Sequence, residues 1–286
     1  MIFETYLPAA PLRPFVEFLW FYDGFAPQHT REKLLPDASM ELIIDLREHP
    51  KRLWDARDPQ RATEFRRSWL SGMHTEYIII DASPGSMMGA HFRPGGARPF
   101  LDLPLSELTD KVVPFESVVG TRAASLRDRL LEAQPYPLKF AVLEAFLLAA
   151  AGDRLVPDAL VTGVVPMLRA GAPVTMRELA SRTGVSQRHF IARFEDQVGL
   201  RPKQLQRICR FQQVIQRLGR DRSDVDWTEV ALDCGYYDQS HFIHDFSGFT
   251  GHTPTDFLRQ QREHANYVIM DDPFAAEQAA SASAAD

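Results

Sequence analysis

Between residues 174 and 258 the hydrophobic positions follow one pattern that is written twice. Each copy has a small residue, a glycine, two phenylalanines at helical spacing, a second glycine and a proline. The matching pairs are Ala180 and Ala231, Gly184 and Gly235, Phe190 and Phe242, Phe194 and Phe246, Gly199 and Gly251, and Pro202 and Pro254. The offset is 51 residues at the first glycine and 52 from the first phenylalanine onward. This repetition predicts two copies of one supersecondary unit.

Each copy is typical of a helix-turn-helix. A first helix ends at a glycine, because glycine takes the left-handed helix-stop conformation most easily. Ser186 and Asp238 are the expected N-caps of the second helices. The apolar side chains of each second helix fall on one face. They are Phe190, Phe194 and Val198 in the first copy, and Phe242, Phe246 and Phe249 in the second. The opposite face is polar, and such a helix can enter the major groove and contact base edges.

The residues predicted to contact DNA lie on these polar faces and in the segment that joins the two copies. They are Ser186, Gln187, Arg188, Ile191, Ala192, Arg201, Lys203, Arg207, Gln239, Ser240, His241 and His244. An arginine can bind guanine through two hydrogen bonds, and the basic residues after the first copy suit phosphates. Asp238 and Asp245 lie beside the second set, where a carboxylate repels DNA unless it caps a helix or binds a neighbour. We therefore expect the first copy to supply most of the affinity, and the second to bind better when its histidines are protonated.

This stretch resembles the DNA-binding domain of the AraC/XylS class of bacterial transcription regulators. The likeness is carried by both copies and most closely by the pattern from Gly235 through Phe242 and Phe246 to Pro254, and it covers about 85 residues. It implies two helix-turn-helix units joined by a long helix over Pro202 to Leu218. The residues expected on the inner face of that helix are Leu205, Ile208, Phe211, Ile215 and Leu218. A small helical domain that binds no nucleic acid is the alternative interpretation.

Residues 1–120 have the pattern of short strands. Apolar segments at 15–22, 40–46, 76–80 and 87–92 are rich in β-formers and bounded by Pro, Gly and Asp, and a further strand is expected at Trp69. Many short strands predict a small barrel or sandwich. The charged, poorly patterned segment 52–67 is interpreted as a surface loop.

The same region resembles the N-terminal domain of a subset of AraC-type regulators. The likeness rests on three segments: Leu35-Pro36-Asp37 with the following Glu41-Leu42-Ile43, 91–96, and 103–108. It implies a cupin-like β domain that senses a ligand or mediates assembly. The turn 93–96 either presents Arg93 to an anionic ligand or needs its glycines for backbone shape.

Between the two regions, residues 122–170 predict three helices with apolar faces. Those faces are covered either by the β domain or by a second chain, and the resemblance implies a dimer contact. The tail from residue 263 is rich in Ala, Ser and Asp and is expected to lack fixed structure, except where 268–270 dock. The predicted fold class is α+β. Its parts are a β-rich sensor domain (1–120), a helical linker or dimerisation segment (121–171), an all-α double helix-turn-helix domain (172–262) and the tail (263–286).

The charge is distributed unevenly, which changes how a net charge of −6 is interpreted. Residues 177–222 hold 11 Lys and Arg against 4 Asp and Glu, a net of +7, whereas residues 223–262 hold 2 against 7, a net of −5. Basic residues are thus concentrated in the first copy and the joining helix, where phosphates would be met. The acidic second copy keeps open a regulator that acts through protein contacts alone.

An enzyme is the alternative function for the N-terminal half. A cupin-like barrel can hold a metal on His and carboxylate side chains, and the candidates are His29, His74, His91, Asp37 and Glu41. No two of these histidines have the His-x-His spacing that places both on one strand face, and no nucleophile and base are paired by any motif. We therefore predict no catalytic residue, no metal and no cofactor. The alternative keeps a metal-dependent enzyme or ligand-processing domain fused to a DNA-binding module.

The predicted function is a sequence-specific, DNA-binding transcription regulator modulated by its N-terminal domain. The predicted partners are double-stranded DNA, a second copy of the chain, RNA polymerase and a small-molecule effector of unknown identity. The start of the chain lacks the basic and apolar regions of a signal peptide, and the apolar run 140–151 is too short to cross a bilayer. We expect a cytoplasmic protein. Cys209 and Cys234 imply no disulfide framework.

Overall fold

The structure is a computed structural model that describes residues 1–58, 60–171, 174–220, 225–260 and 266–270. The strands of this part of the chain are β1 (Ile2–Tyr6), β2 (Val16–Phe25), β3 (Arg31–Leu34), β4 (Met40–Asp45), β5 (Lys51–Trp54), β6 (Ala62–Phe65), β7 (Ser68–Ser71), β8 (Ile78–Asp81), β9 (Gly85–Phe92), β10 (Val112–Pro114) and β11 (Tyr267–Ile269). All but β11 fall within residues 1–120, which we call the β-rich region.

The strands form two antiparallel sheets, as the strand pattern predicted. One sheet has the order β1-β2-β9-β4-β7-β10 and the other the order β11-β3-β8-β5-β6. Alternation along β4 explains how the first sheet uses both faces, because successive side chains point to opposite sides. Leu42 and Ile44 belong to the main core, while Ile43 joins Trp20 and Met87 in a smaller cluster on the other face. Sequence alternation of this kind fixes the register of the sheet.

The segment 52–67 is a β-hairpin, and the interpretation of it as a surface loop was wrong. Strands β5 and β6 pair antiparallel at the edge of the second sheet. Arg52 and Glu64 face each other across the hairpin in an exposed ion pair of 3.5 Å. Phe65 is buried. One face of an edge hairpin tolerates charge, so the segment carries too few apolar residues to show a strand pattern.

The helices of the described residues are α1 (Glu116–Val119), α2 (Arg122–Glu132), α3 (Pro137–Ala151), α4 (Ala159–Arg169), α5 (Met176–Thr183), α6 (Gln187–Val198), α7 (Pro202–Arg220), α8 (Trp227–Asp233), α9 (Gln239–Thr250) and α10 (Pro254–Gln260). Short 3-10 turns lie at Arg98–Phe100, Leu105–Leu108 and Gly152–Arg154. Among these helices, none has the length and apolar character needed to cross a membrane. The order of sheets followed by helices confirms the predicted α+β class.

Most apolar side chains of α2, α3 and α4 are buried within this chain, while Leu131 and Leu138 are exposed. Leu130, Leu143 and Leu168 are fully buried and belong to the same core as the strands. Leu131 lies one position beyond Leu130 on α2 and is 39% exposed. The buried side chains of these helices thus pack against the strands of the same chain.

After the last helix the chain returns to the β-rich region. Strand β11 pairs antiparallel with β3, and Val268 is buried in the main core. This strand lies in the tail that was expected to lack fixed structure, at the apolar cluster given as its exception. The tail residues 263–265 and 271–286 lie outside the described part of the chain.

Candidate nucleic-acid interface

The first helix-turn-helix unit consists of α5 and α6. Thr175 and Glu178 form a capping box at the start of α5, with the Glu178 N–H donating to Thr175 Oγ1 over 3.2 Å. Gly184 ends α5 with φ of 70°, the left-handed conformation that glycine favours. Ser186 then caps α6 by accepting the His189 N–H at 3.3 Å, as predicted. Local sequence therefore fixes where α6 begins. We call the second helix of each unit, α6 or α9, its recognition helix.

The aromatic face of α6 is buried and its polar N-terminal face is exposed. Phe190 and Phe194 have no exposed area, whereas Gln187, Arg188 and Ala192 are exposed. Ile191 lies between the two faces and packs on the core with part of its side chain accessible. A helix in this state can approach DNA without moving its core residues.

The second unit, α8 and α9, follows the same plan with charged caps. Asp226 caps α8, and Asp238 caps α9 by accepting the His241 N–H at 2.7 Å. Gln239, Ser240 and His244 are exposed on α9. His241 is partly exposed, with its Nε2 atom 3.7 Å from an Asp245 oxygen.

Asp245 is buried and neutralised by Arg207 of the joining helix. The Arg207 Nη2 atom donates to Asp245 Oδ1 at 2.6 Å, and the Asp245 side chain is 3% exposed. The hydrogen bond between Arg207 and the Asp245 carboxylate raises the pKa of Arg207 above the ordinary arginine value, despite partial burial. The carboxylate therefore does not face solvent. Arg207, predicted to meet phosphates, is held in this ion pair, which no local sequence signal indicates.

The other predicted phosphate contacts remain accessible at the start of α7. Arg201 forms an exposed ion pair with Glu195 at 3.2 Å. Lys203 is exposed, and neither it nor Arg188 forms an ion pair with any residue that the structure describes. Free cations next to a recognition helix are available for phosphates.

The joining helix is packed as the resemblance implied. Leu205, Ile208, Phe211, Ile215 and Leu218 are all at most 1% exposed. The Phe211 ring lies 5.6 Å from Phe246 and 4.8 Å from Phe249, so α7 and α9 share a core. Cys209 of α7 is also buried, and burial raises the pKa of its thiol to about 11.

Three features of the site were missed by the sequence analysis. Ile243 of α9 is 37% exposed and stands 52 residues after Ile191, so the repeat itself signalled it. Tyr237, in the turn before α9, is 87% exposed. Arg193 of α6 donates to Asp158, the N-cap of α4, at 2.8 Å, and this contact has no local sequence signal. Exposed apolar groups beside polar ones suit the methyl group of thymine.

In the β-rich region two of the candidate ligand residues, His91 and Glu41, contact each other, whereas His29, His74 and Asp37 contact residues outside the candidate set. His91 Nδ1 lies 2.9 Å from Glu41 Oε1; burial lowers the pKa of His91, but the hydrogen bond and charge of Glu41 outweigh it and leave the pKa raised. His74 Nε2 lies 3.0 Å from Ser71 Oγ. The described residues contain no cluster of three or more His, Cys, Asp or Glu side chains suited to a metal.

The turn 93–96 is explained by packing. Arg93 donates to the Arg13 carbonyl at 3.0 Å, and a Cβ at Gly96 would lie 2.0 Å from the Phe15 carbonyl oxygen. No side chain larger than hydrogen fits there, which supports the interpretation that this turn needs glycine for its backbone shape.

Comparison with protein families gives two matches. Residues 179–260 match the model of a helix-turn-helix domain, and residues 4–114 match a domain of unknown function (DUF6597). The first match contains both units and the joining helix, which defines the class: a DNA-binding regulator of transcription. Within that class, residues 179–260 form an AraC-type helix-turn-helix domain, which follows the N-terminal match at 4–114.

Several solved structures are similar to the chain. ToxT from Vibrio cholerae is 10% identical with a TM-score of 0.44, over 91% of this chain and 98% of that one. The C-terminal domain of AraT, a response regulator from Geobacillus stearothermophilus, is 17% identical with a TM-score of 0.34, over 37% and 89%. A DNA-binding transcriptional dual regulator from Escherichia coli K-12 is 24% identical with a TM-score of 0.31, over 36% and 93%. No curated protein matches the chain.

Proposed function

We propose that the chain is a sequence-specific regulator that reads two stretches of DNA with α6 and α9, and that the first unit supplies most of the affinity. The observation that carries this proposal is the pair of exposed N-terminal faces. Positions related by the 52-residue offset, Gln187 with Gln239 and Ile191 with Ile243, lie on the outer or partly outer side of their helices. Both helices thus offer equivalent positions to a major groove.

The proposed difference in DNA affinity between the units is supported by which of their basic residues form ion pairs. In the first unit and the segment directly after it, Arg188 and Lys203 form no ion pair with a described residue, and Arg201 is exposed although it is paired with Glu195. Around the second unit Arg207 is taken up by Asp245, and Arg217 by Asp233 and Glu229. Counterion release scales with the phosphates neutralised, so the unit with free cations contributes more of the salt-dependent affinity.

The division of the chain belongs to the same proposal. The β-rich region and the helical segment 121–171 modulate a DNA-binding domain at 172–262, and the tail follows from 263. Support comes from the contacts between the β-rich region and both recognition helices, including Ser106 Oγ to Asp196 Oδ1 at 3.2 Å. The effector, the homodimer and the contact with RNA polymerase stay predictions from the resemblance.

Selection of duplexes from a random DNA library by the full chain tests the proposal, followed by titrations of the enriched duplex. We expect enrichment of one sequence. Arg188→Ala should weaken binding by about 1–3 kcal/mol and relax the preference at one base pair. Lys203→Ala should weaken all duplexes alike and reduce the salt slope by about one.

Arg52→Ala is the matched control, because Arg52 is an exposed arginine on the edge hairpin, and it should bind as the wild type does. A library from which the folded chain enriches nothing would refute the proposal. Equal losses for Arg188→Ala and the control would refute the assignment of the reading face.

A further inference from the structure

Both recognition helices end at a left-handed glycine, and both ends rest on the β-rich region. At the end of α6, Thr109 Oγ1 donates to the Gly199 carbonyl. A Cβ added to Gly199 would lie 3.3 Å from the Leu105 carbonyl oxygen, so the turn Leu105–Leu108 approaches the helix end closely. The C-terminal end of α6 is therefore held, while its N-terminal face stays exposed.

The equivalent end of α9 is held by a buried lysine of β3. Lys33 Nζ donates to the Thr250 carbonyl at 3.2 Å and lies 2.9 Å from His252 Nε2. A Cβ at Gly251 would lie 3.0 Å from this Nζ atom and 3.1 Å from the Tyr77 ring. Carbonyl groups at a helix C-terminus carry partial negative charge, so an ammonium group is stabilising there. Lys33 thus caps the second recognition helix from the β-rich region.

The strand that carries Lys33 is also the strand that receives the C-terminal segment. We call residues 266–270 the strap. Its Asn266 carbonyl accepts the Leu35 N–H at 3.0 Å, its Met270 N–H donates to the Arg31 carbonyl at 3.1 Å, and Val268 is 1% exposed. Because the strap follows the last helix, it ties the DNA-binding helices back to β3.

The joining helix is fastened at the same place. Gln212 of α7 donates through Nε2 to the Pro36 carbonyl at 2.7 Å and to Asn266 Oδ1 at 3.0 Å. One side chain therefore bridges α7, the loop after β3 and the strap. A displacement of β3 would therefore change the contacts at the C-terminal end of α9 and at the middle of α7.

Resting on the proposed function, we infer that the strap and Lys33 position the second recognition helix relative to the first. They thereby determine how well both helices contact one DNA molecule at the same time. The holding contacts lie at the C-terminal ends of α6 and α9, and the proposed reading faces lie at the N-terminal ends. The described arrangement is thus one in which both faces remain available. When the second unit is held in place, its binding to DNA becomes an intramolecular step once the first unit is bound. The overall affinity then rises without any new contact.

Two truncated chains test the inference with a matched control. A chain ending at Met270 keeps the strap, and a chain ending at Ala265 lacks it. Their affinities are measured for the duplex selected by the full chain and for the same duplex with the half read by the second unit replaced. Loss of the strap should weaken binding to the full duplex roughly tenfold or more and leave the half-duplex within about twofold. Lys33→Met should likewise weaken binding to the full duplex and leave binding to the half-duplex nearly unchanged.

Each other outcome overturns the inference. Unchanged affinity for the full duplex means that the strap does not position α9, and tighter binding means that it inhibits. Equal weakening on both duplexes means that the strap stabilises the whole domain without positioning the second unit. If the full chain selects no DNA, the proposed function fails, and amide exchange still tests the strap. The chain ending at Ala265 should then exchange faster at residues 31–35 and 247–252, and unchanged exchange at 247–252 refutes the positioning.

Discussion

The two helix-turn-helix units share their buried aromatic residues and differ in the charges around them. Arg193 and Asp245 occupy equivalent positions, 52 residues apart, and carry opposite charge. Arg193 is paired with Asp158 of the helical segment, and Asp245 with Arg207 of the joining helix. Each unit has therefore placed its charged residue against a partner outside its own helix pair. Repetition preserves the packing of a unit, while the electrostatics of each copy are set by its neighbours.

The caps of the two recognition helices show the same difference at the DNA side. Ser186 and Asp238 are equivalent, and each accepts a backbone N–H from the residue three positions later. Serine caps without charge, whereas aspartate brings a carboxylate to the end of the helix that approaches DNA. Although Asp238 caps α9, its side chain stays exposed, so its negative charge still lies at the start of the face proposed to contact DNA, where it repels phosphate.

The largest expected effect is a loss of stability when a buried phenylalanine, the feature that both units share, is truncated. Phe190→Ala and Phe246→Ala each remove a ring with no exposed area and should each cost about 3–5 kcal/mol of unfolding free energy. Phe246 should be the more costly, because its ring contacts Phe211, Phe242 and Phe257. Urea unfolding measures both. A Phe190→Ala protein that keeps its stability and loses only DNA affinity would show that the buried face is misassigned.

The next largest effect is a difference in unfolding free energy between removing the arginine of a buried ion pair and removing that of an exposed one. Arg207→Leu leaves the buried carboxylate of Asp245 without its partner and should cost on the order of 3 kcal/mol. Arg201→Leu, the matched change in the exposed pair with Glu195, should cost less than about 1 kcal/mol. Urea unfolding of both variants decides the matter. Similar small losses would mean that Arg207 is free to contact phosphates after all.

Exchanging the caps sharpens the comparison further. Asp238→Ser keeps a good N-cap and removes a carboxylate from the DNA side, so it should tighten binding by about 0.5–1 kcal/mol at low salt. Ser186→Asp should weaken binding by a similar amount. Both titrations use the selected duplex, and thermal unfolding checks that each helix is still capped. Binding that does not respond to either exchange would place these caps away from the phosphates.

A smaller effect concerns pH at the end of α9. Burial, followed by the positive charge of Lys33, lowers the pKa of His252 below its ordinary value of 6.5, although Asp256 opposes this. A group with a depressed folded pKa keeps its contribution above the unfolded value and loses it as the pH falls. The docking of α9 should therefore weaken below about pH 6.5. Protection factors at 247–252, which correct for the slower intrinsic amide exchange at low pH, should fall on acidification in the wild type and change less in His252→Gln, and identical pH profiles would exclude this histidine.

The sequence was sufficient for features that depend on neighbouring positions. The double unit and the caps Ser186 and Asp238 follow from spacings within one helix or turn, and the joining helix with its inner face follows from the family resemblance. Contacts made across the fold were not predictable in this way. Arg207 and Asp245 are 38 residues apart, and Lys33 reaches a carbonyl 217 residues away, so no local pattern links them. The edge hairpin at 51–65 was missed because its exposed face carries charge where the strand pattern expects apolar residues.

The most direct measurement compares Arg188→Ala with His244→Ala on one selected duplex. The two side chains lie on the exposed faces of α6 and α9. If the first unit supplies most of the affinity, Arg188→Ala should cost about 1–3 kcal/mol and His244→Ala clearly less. Equal losses from the two substitutions would contradict the account and show that the two units read DNA as equals.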